Sequence, residues 1–315
     1  MSRLTLFHVG FLFLILFFTT TAKAQKEAET FNVDSTLYEY YQRCQEYLLE
    51  PVVLNMSDTL FRMAGERQDE RMQAVAIATQ LDYYYFQGTN EDSVIHYTNK
   101  VKEFAKATHQ PKYYYFAWAN RLITYYLKTS RTNIALYEVQ NMLKEAQEED
   151  DKTGLSRCYN IMSQIYTIKR FDSMAFEWRL KEIELTEKYK IENYNISQTY
   201  AQIANYYINQ KKQKEALAAV EKAIATANSS TQQISAKLEF VNYYSKFGDF
   251  QAAEKLLKEC QAAFEQDKRL ESIKKRLYNI ECLYYQQTKQ YQKALEAAKM
   301  QEKEERRLSE SILSS

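Results

Sequence analysis

The sequence predicts an all-α fold built from about seven stacked helix pairs, and two observations carry this prediction. The 315 residues include only five Gly and two Pro, whereas β-architecture needs frequent turn residues. Tyrosine is unusually abundant, with 27 copies, and a subset of them recurs at a nearly constant interval. Such recurrence is the sequence signature of a helical repeat protein.

The first 24 residues have the pattern of a secretory signal peptide. Arg3 supplies a positive charge, an apolar run extends from Leu4 to Phe18, and Ala22-Lys23-Ala24 forms a cleavage site. The run is shorter than the roughly 20 residues that span a bilayer. We therefore predict cleavage of residues 1–24, no membrane span in the mature chain, and a periplasmic or secreted location. An uncleaved anchor is the alternative.

Seven tyrosines mark the repeat. They stand at intervals of 37 to 43 residues, and a second Tyr precedes six of them. A spacing this regular predicts one structural unit per interval, with the aromatic ring at the same place in each. The seven are Tyr41, Tyr84, Tyr126, Tyr166, Tyr207, Tyr244 and Tyr285.

The clearest unit is residues 197–230. Apolar residues recur at helical spacing on both sides of a polar turn at 210–214, which predicts two amphipathic helices joined by a short connection. The recurring residues are Tyr200, Ile203, Ala204 and Tyr207 before the turn, and Ala216, Val220 and Ala223 after it.

This unit resembles the tetratricopeptide repeat (TPR), whose aromatic, large apolar and small positions those seven residues fill. In the next unit, Gly248-Asp249-Phe250 matches the usual turn of that family. The resemblance implies a right-handed superhelical solenoid of about seven TPR-like helix pairs over residues 25–315. The step exceeds the usual 34 residues of the family. HEAT or armadillo repeats, which share the longer step, are a minor alternative.

Several local features follow from the same pattern. Residues 144–154 and 225–232 are predicted to be turns between repeats, and Pro51 and Pro111 are predicted to stand at helix starts. The charged segment 301–315 is predicted to form a helix that caps the last repeat.

None of the common catalytic or cofactor-binding sequence motifs is present. Only His96 and His109 remain after residue 24, and phosphate-loop, dinucleotide, serine-hydrolase and zinc-protease motifs are all missing. We therefore expect no catalytic residues, no metal site and no cofactor. Acidic residues are expected in solvated helical pairs such as Glu302 with Arg306.

Charge and cysteine content also restrict the function. The formal net charge is +1, and loss of Arg3 and Lys23 makes it −1, so no nucleic-acid partner is expected. The four cysteines lack a zinc-site spacing. Since export permits disulfides, Cys260 and Cys282 could face each other across neighbouring helices; buried free thiols are the alternative.

The TPR resemblance also implies a binding groove lined by the first helix of each pair, at its second, fifth, ninth and twelfth positions. Asn can pair with a peptide backbone through its amide, and Arg can bind a carboxylate through two hydrogen bonds. The alternative is that these side chains face solvent or satisfy buried backbone groups. The predicted groove residues are Asn120, Arg157, Asn160, Gln164, Asn205, Asn242, Arg276 and Asn279.

Three functions are consistent with these features. The first is an exported, non-enzymatic scaffold that binds a protein or peptide. The second is a sensor module, because the run DTLFRMAGERQDERMQ with LDYYYFQG and YYYFAW resembles the periplasmic TPR region of membrane-bound bacterial sensor kinases. The membrane and kinase parts of those proteins are not in this chain. The third, an enzyme of the helical-toroid type, is disfavoured because no acid–base constellation is present.

Overall fold

The structure, a computed structural model, describes residues 33–191 and 193–313, with side chains described as far as residue 307. The predicted signal peptide, residues 1–24, lies outside the described residues. Among those residues the secondary structure is helical, without strands. In chain order the helices are α1 (Ser35–Glu46), α2 (Val52–Glu66), α3 (Glu70–Gln87), α4 (Glu91–Ala107), α5 (Pro111–Tyr115), a π-helical segment (Phe116–Ile123), α6 (Thr124–Lys128), α7 (Thr132–Glu148), α8 (Lys152–Ile168), α9 (Asp172–Tyr189), α10 (Ile196–Asn209), α11 (Gln213–Ala225), α12 (Ser230–Phe247), α13 (Phe250–Gln266), a 3₁₀ turn (Lys268–Ile273), α14 (Lys274–Gln287) and α15 (Tyr291–Leu313).

The helices of the described residues form seven pairs, and each repeat tyrosine lies in the first helix of its pair. The first helices are α1, α3, the continuous rod formed by α5, the π-helical segment and α6, then α8, α10, α12 and α14. The two helices pack against each other in the first, second and last four pairs. In the third pair, Trp118 Nε1 donates to a carboxylate oxygen of Glu138 at 2.8 Å. This arrangement confirms the predicted repeat.

The turn inside a pair is built on the backbone carbonyl of the repeat tyrosine. In the last five pairs this carbonyl accepts the N–H five residues later, as at Tyr207 and Lys212 (2.9 Å). The residue before that donor is left-handed, which is the Schellman ending of a helix. Glycine is the usual residue there, but only one of the five is glycine. They are Ser130, Arg170, Lys211, Gly248 and Lys289.

The chain divides between Met142 and Leu143, inside α7, into two compact units, called unit 1 (to Met142) and unit 2 (from Leu143). In unit 1, Leu37, Val53 and Leu60 are core residues of the first two pairs. In unit 2, one core cluster includes Ile203 and Val220, and a second includes residues of α12, α13 and α14. Buried alanines between the helices allow close approach.

The π-helical segment is a feature that the sequence pattern did not predict. It interrupts the first helix of the third pair, where the hydroxyl of Thr124 donates to the carbonyl of Ala119, five residues earlier, at 3.0 Å. A π turn contains one residue more than the α-helical turn it replaces. It therefore rotates the side chains on its two sides relative to each other.

Other local predictions have mixed outcomes. Pro51 and Pro111 do stand at the starts of α2 and α5. The turns predicted at 144–154 and 225–232 are shorter in the structure, since the helices extend into both segments and leave only 149–151 between α7 and α8 and 226–229 between α11 and α12. The charged segment 301–315 is helical as far as Leu313, but as the continuation of α15. The reason is that residues 291–313 contain neither Gly nor Pro to end the helix.

Cys260 and Cys282, the pair considered for a disulfide, are both free thiols in the structure. Cys260 is buried in the core cluster of α12, α13 and α14. Cys282 is half-buried, and its Sγ accepts a hydrogen bond from Gln286 Nε2, one turn along the same helix, at 3.4 Å. The two thiols therefore have different surroundings.

Candidate peptide-binding surface

The eight predicted groove residues all lie on first helices, but they differ in exposure and partners. Asn120, in unit 1, and Gln164 and Asn279, in unit 2, are exposed. Gln164 Nε2 also donates to Asn160 Oδ1 at 2.7 Å. Arg157 is half-buried, and burial lowers the pKa of its guanidinium. The remaining four belong to two hydrogen-bonded networks inside unit 2.

The first network is centred on Glu239 of α12, whose side chain is only 2% exposed. Its Oε1 accepts from Asn205 Nδ2 of α10 at 3.1 Å and from Asn242 Nδ2 at 2.8 Å. Its Oε2 accepts from Arg276 Nη2 of α14 at 2.8 Å. Three predicted groove residues thus meet at one buried carboxylate, which joins the first helices of three consecutive pairs.

The second network is centred on Glu182 of α9, which is 1% exposed. Its carboxylate accepts from Asn160 Nδ2 at 3.2 Å, from Asn193 Nδ2 at 2.8 Å and from the Thr199 hydroxyl at 3.3 Å. Burial raises the pKa of Glu182, while those hydrogen bonds and the charge of Arg179 act in the opposite direction. This network connects α8, α9 and α10.

These contacts change the role expected of the asparagines. The Nδ2 groups of Asn160, Asn205 and Asn242 donate to buried carboxylates of the same chain, because a buried ionised carboxylate requires hydrogen-bond donors. The same atoms cannot serve a bound peptide without taking a hydrogen-bond donor from Glu182 or Glu239. The exposed amides of Asn120, Gln164 and Asn279 are the predicted residues best placed to meet a partner.

The sequence pattern did not identify Glu182 and Glu239 as buried network centres, because acidic residues in general were expected to be solvated. A signal was available for Glu239: it interrupts the consecutive apolar run Leu238, Phe240 and Val241 of α12. An acidic residue at such a position must find a donor within the fold. No comparable signal marks Glu182, whose donors include Asn193 in a connection.

Two other kinds of feature are missing from the described residues. Their helices lack the length and hydrophobicity that a membrane span requires. In the same part of the chain, no group of three or more His, Cys, Asp or Glu side chains is arranged to hold a metal ion.

Comparisons with known proteins identify the architecture. No protein-family model and no curated protein sequence matches the chain. Solved structures do match. The apo quorum sensor NprR from B. thuringiensis has a TM-score of 0.59 at 15% identity, over 92% of this chain and 84% of that one.

Two other matched structures have similar TM-scores. A Rap protein complexed with Competence and Sporulation Factor has a TM-score of 0.58 at 12% identity, over 88% of this chain and 77% of that one. A STAND protein with a tetratricopeptide repeat sensor, PH0952 from Pyrococcus horikoshii, has a TM-score of 0.55 at 16% identity, over 88% of this chain and 43% of that one. At these identities the likeness shows the fold alone: the chain has the all-α architecture of TPR-like helical repeat proteins.

Proposed function

We propose that the chain is a non-enzymatic scaffold that binds a protein or an extended peptide on the faces of its first helices. The observation that carries this proposal is the exposure of side-chain amides on first helices, at the fifth position of the repeat for Asn120 and Asn279 and at the ninth for Gln164. An amide both donates and accepts, so it can pair with the backbone of an extended partner. The fold supports the proposal, since one structural neighbour was solved with Competence and Sporulation Factor bound.

The proposed setting is outside the cytoplasm, where the signal-like sequence at residues 1–24 would deliver the mature chain. A second candidate function is that of an extracytoplasmic sensor module of a two-component system. The observation that favours it is that two structural neighbours are a quorum sensor and a protein with a tetratricopeptide repeat sensor. In either case the chain acts by binding.

A pull-down from cell-envelope extract with purified residues 25–315 tests the proposal. The test variant replaces the exposed amides, as Asn120→Ala/Gln164→Ala/Asn279→Ala. The control variant replaces three exposed amides on second helices, as Gln140→Ala/Gln213→Ala/Gln292→Ala. Circular dichroism verifies that both variants are folded.

The expected result is a partner retained by the wild type and the control and lost by the test variant. A partner that both variants retain would contradict the assignment of the binding face. Complete absence of a protein or peptide partner would contradict the scaffold function. Labelling of the mature chain in the periplasm or medium, as opposed to the cytoplasm, tests the location.

A further inference from the structure

Unit 1 contains a surface with a different character from the two buried networks of unit 2. It is formed by Phe86, Phe116, Arg121 and Lys128, and is called here the cation–aromatic patch. Phe86 is 38% exposed, Phe116 is half-buried, and Lys128 is exposed. The patch combines α3 with the π-helical segment and α6, which are the first helices of neighbouring pairs.

Arg121 is held firmly at this surface. Its Nε donates to the carboxylate of Asp82, its Nη1 donates to the carbonyl of Asn120 at 3.0 Å, and its side chain is 16% exposed. Its guanidinium lies 4.4 Å from the ring centroid of Phe116 and 5.7 Å from that of Phe86. Burial raises the pKa of Asp82, and the hydrogen bond and charge of Arg121 act in the opposite direction.

Lys128 supplies a second cation to the same rings. Its Nζ lies 4.2 Å from the ring centroid of Tyr85 and 5.7 Å from that of Phe86. None of the ion pairs among the described residues includes Lys128. The contacts of its ammonium there are with aromatic faces, which attract a cation without neutralising its charge.

The charge balance separates this patch from the networks of unit 2. There, Glu239 is paired with Arg276, and Glu182 lies near Arg179. In the patch, Arg121 is paired with Asp82, whereas Lys128 contacts aromatic rings, so one positive charge remains uncompensated beside an exposed aromatic ring. An anion that approaches Lys128 gains a charge-assisted hydrogen bond, and an apolar neighbour gains contact with Phe86.

We propose that the cation–aromatic patch binds a peptide segment in which an acidic side chain stands next to an apolar one. The acidic group binds Lys128, the apolar residue covers Phe86 and Phe116, and the exposed amide of Asn120, next to Arg121, pairs with the peptide backbone. This inference rests on the proposed function and specifies the chemistry of the partner in unit 1. The π-helical segment contains both Phe116 and Asn120, and π turns are frequent at functional sites.

The test uses the purified chain and two pooled peptide libraries, acetylated at the N-terminus and amidated at the C-terminus. The pools share their randomised flanking positions and differ only in a fixed core, Glu-Phe or Gln-Phe. Binding is measured by fluorescence anisotropy with the wild type, Lys128→Met and Lys214→Met. Lys214 is an exposed lysine of α11 in unit 2, so its substitution makes the same charge change away from the patch.

The expected result is that the Glu-Phe pool binds the wild type about tenfold more tightly than the Gln-Phe pool. Lys128→Met removes this preference, and Lys214→Met retains it. Equal binding of the two pools, or a preference that survives Lys128→Met, would overturn the inference.

The two proposals fail in different ways. If the chain retains a partner from envelope extract while neither pool binds, the scaffold function stands and the acidic-peptide assignment is wrong. If neither a pool nor an extract partner binds, both are wrong. The variant Phe86→Ala gives a second measure: it should weaken binding of both pools, because the apolar contact does not depend on the acidic group.

Discussion

Arg276 is the only cation among the three donors to Glu239, so removing it leaves a carboxylate that is 2% exposed with neutral donors alone. We expect Arg276→Met to lower the free energy of unfolding by about 2–4 kcal/mol, since an uncompensated charge remains in the interior. Urea denaturation measures the change. Adding Glu239→Gln to this variant should recover part of the loss.

Arg306 provides the matched control. It pairs with Glu302, but the two side chains are 73% and 62% exposed, where water solvates both charges. Arg306→Met should leave the urea midpoint unchanged. Similar destabilisation by both substitutions would contradict the argument from burial.

Glu182 predicts a pH dependence of stability with a definite sign. Burial raises its pKa in the folded chain above the ordinary value of 4.5, so the folded state retains a proton that the unfolded state has lost. The stabilisation that this pKa difference gives to the folded state is complete at a pH below 4.5 and is lost as the pH rises through the pKa of Glu182 in the folded chain. We expect the stability of the wild type relative to Glu182→Gln to increase as the pH falls through that interval.

Glu187 should show the opposite sign, because hydrogen bonds from Lys222 and Tyr200 lower its pKa. The stability of the wild type relative to Glu187→Gln should therefore decrease as the pH falls through the folded value. Thermal denaturation of the wild type and the two variants across acidic pH measures both trends. Parallel trends for Glu182→Gln and Glu187→Gln would rule out the proposed role of burial at Glu182.

The cysteines should differ in reactivity. Burial raises the pKa of Cys44 and Cys260 to about 11 and that of Cys158 to about 12, so few thiolates form near neutral pH. Iodoacetamide should label half-buried Cys282 first and the other three only after denaturation, as measured by peptide mass spectrometry. Protection of both Cys282 and Cys260 until a reductant is added would instead indicate a disulfide between them.

At the scale of elements, four of the eight non-glycine residues with positive φ in the described part of the chain stand in the turns inside the pairs. Lys211, with φ of 58°, and Gly248, with φ of 90°, occupy the same position in consecutive pairs. A side chain there disfavours the left-handed conformation. Lys211→Gly should stabilise the chain by about 0.5–1 kcal/mol and Gly248→Ala should destabilise it by about 1 kcal/mol.

Space does not explain the expected effect at Gly248, because a Cβ there meets no atom within 4 Å. The difference arises from the backbone conformation alone. Thermal unfolding of the two variants measures it, and changes of the same sign would contradict a common turn geometry. Among these five turns, only the one at Gly248 has a glycine to mark the helix end in the sequence; the left-handed lysines, arginine and serine provide no such marker.

At the scale of the molecule, a repeat protein is stabilised by contacts between neighbouring pairs. Leu238 of α12 is fully buried in the core cluster shared with α13 and α14. Leu238→Ala should cost about 2–5 kcal/mol and should accelerate amide hydrogen exchange in α10, α12, α13 and α14. Exchange in α1–α4 of unit 1 should remain unchanged. Equal acceleration along the whole chain, measured by mass spectrometry, would show that the chain opens as one cooperative body.

The sequence by itself determined the helical fold, the seven pairs and the position of each repeat tyrosine. These features arise within about 40 residues, from apolar spacing and from a turn whose hydrogen bonds begin at the tyrosine carbonyl. Because the pattern recurs, the assignment of one repeat unit supports the assignment of the next. The same reasoning placed the eight candidate residues on first helices, because helical position depends only on the local register.

Only the tertiary structure decided which polar groups meet. Glu239 receives donors from Asn205 and Arg276, which are 34 and 37 residues away in sequence, and the Arg121–Asp82 pair joins residues 39 apart. Such contacts depend on the rotation and stacking of whole helices, to which the π-helical segment contributes. A periodic sequence identifies the helix face on which a side chain lies. The hydrogen-bond partner of that side chain depends on how closely two helix faces approach and how much water they exclude.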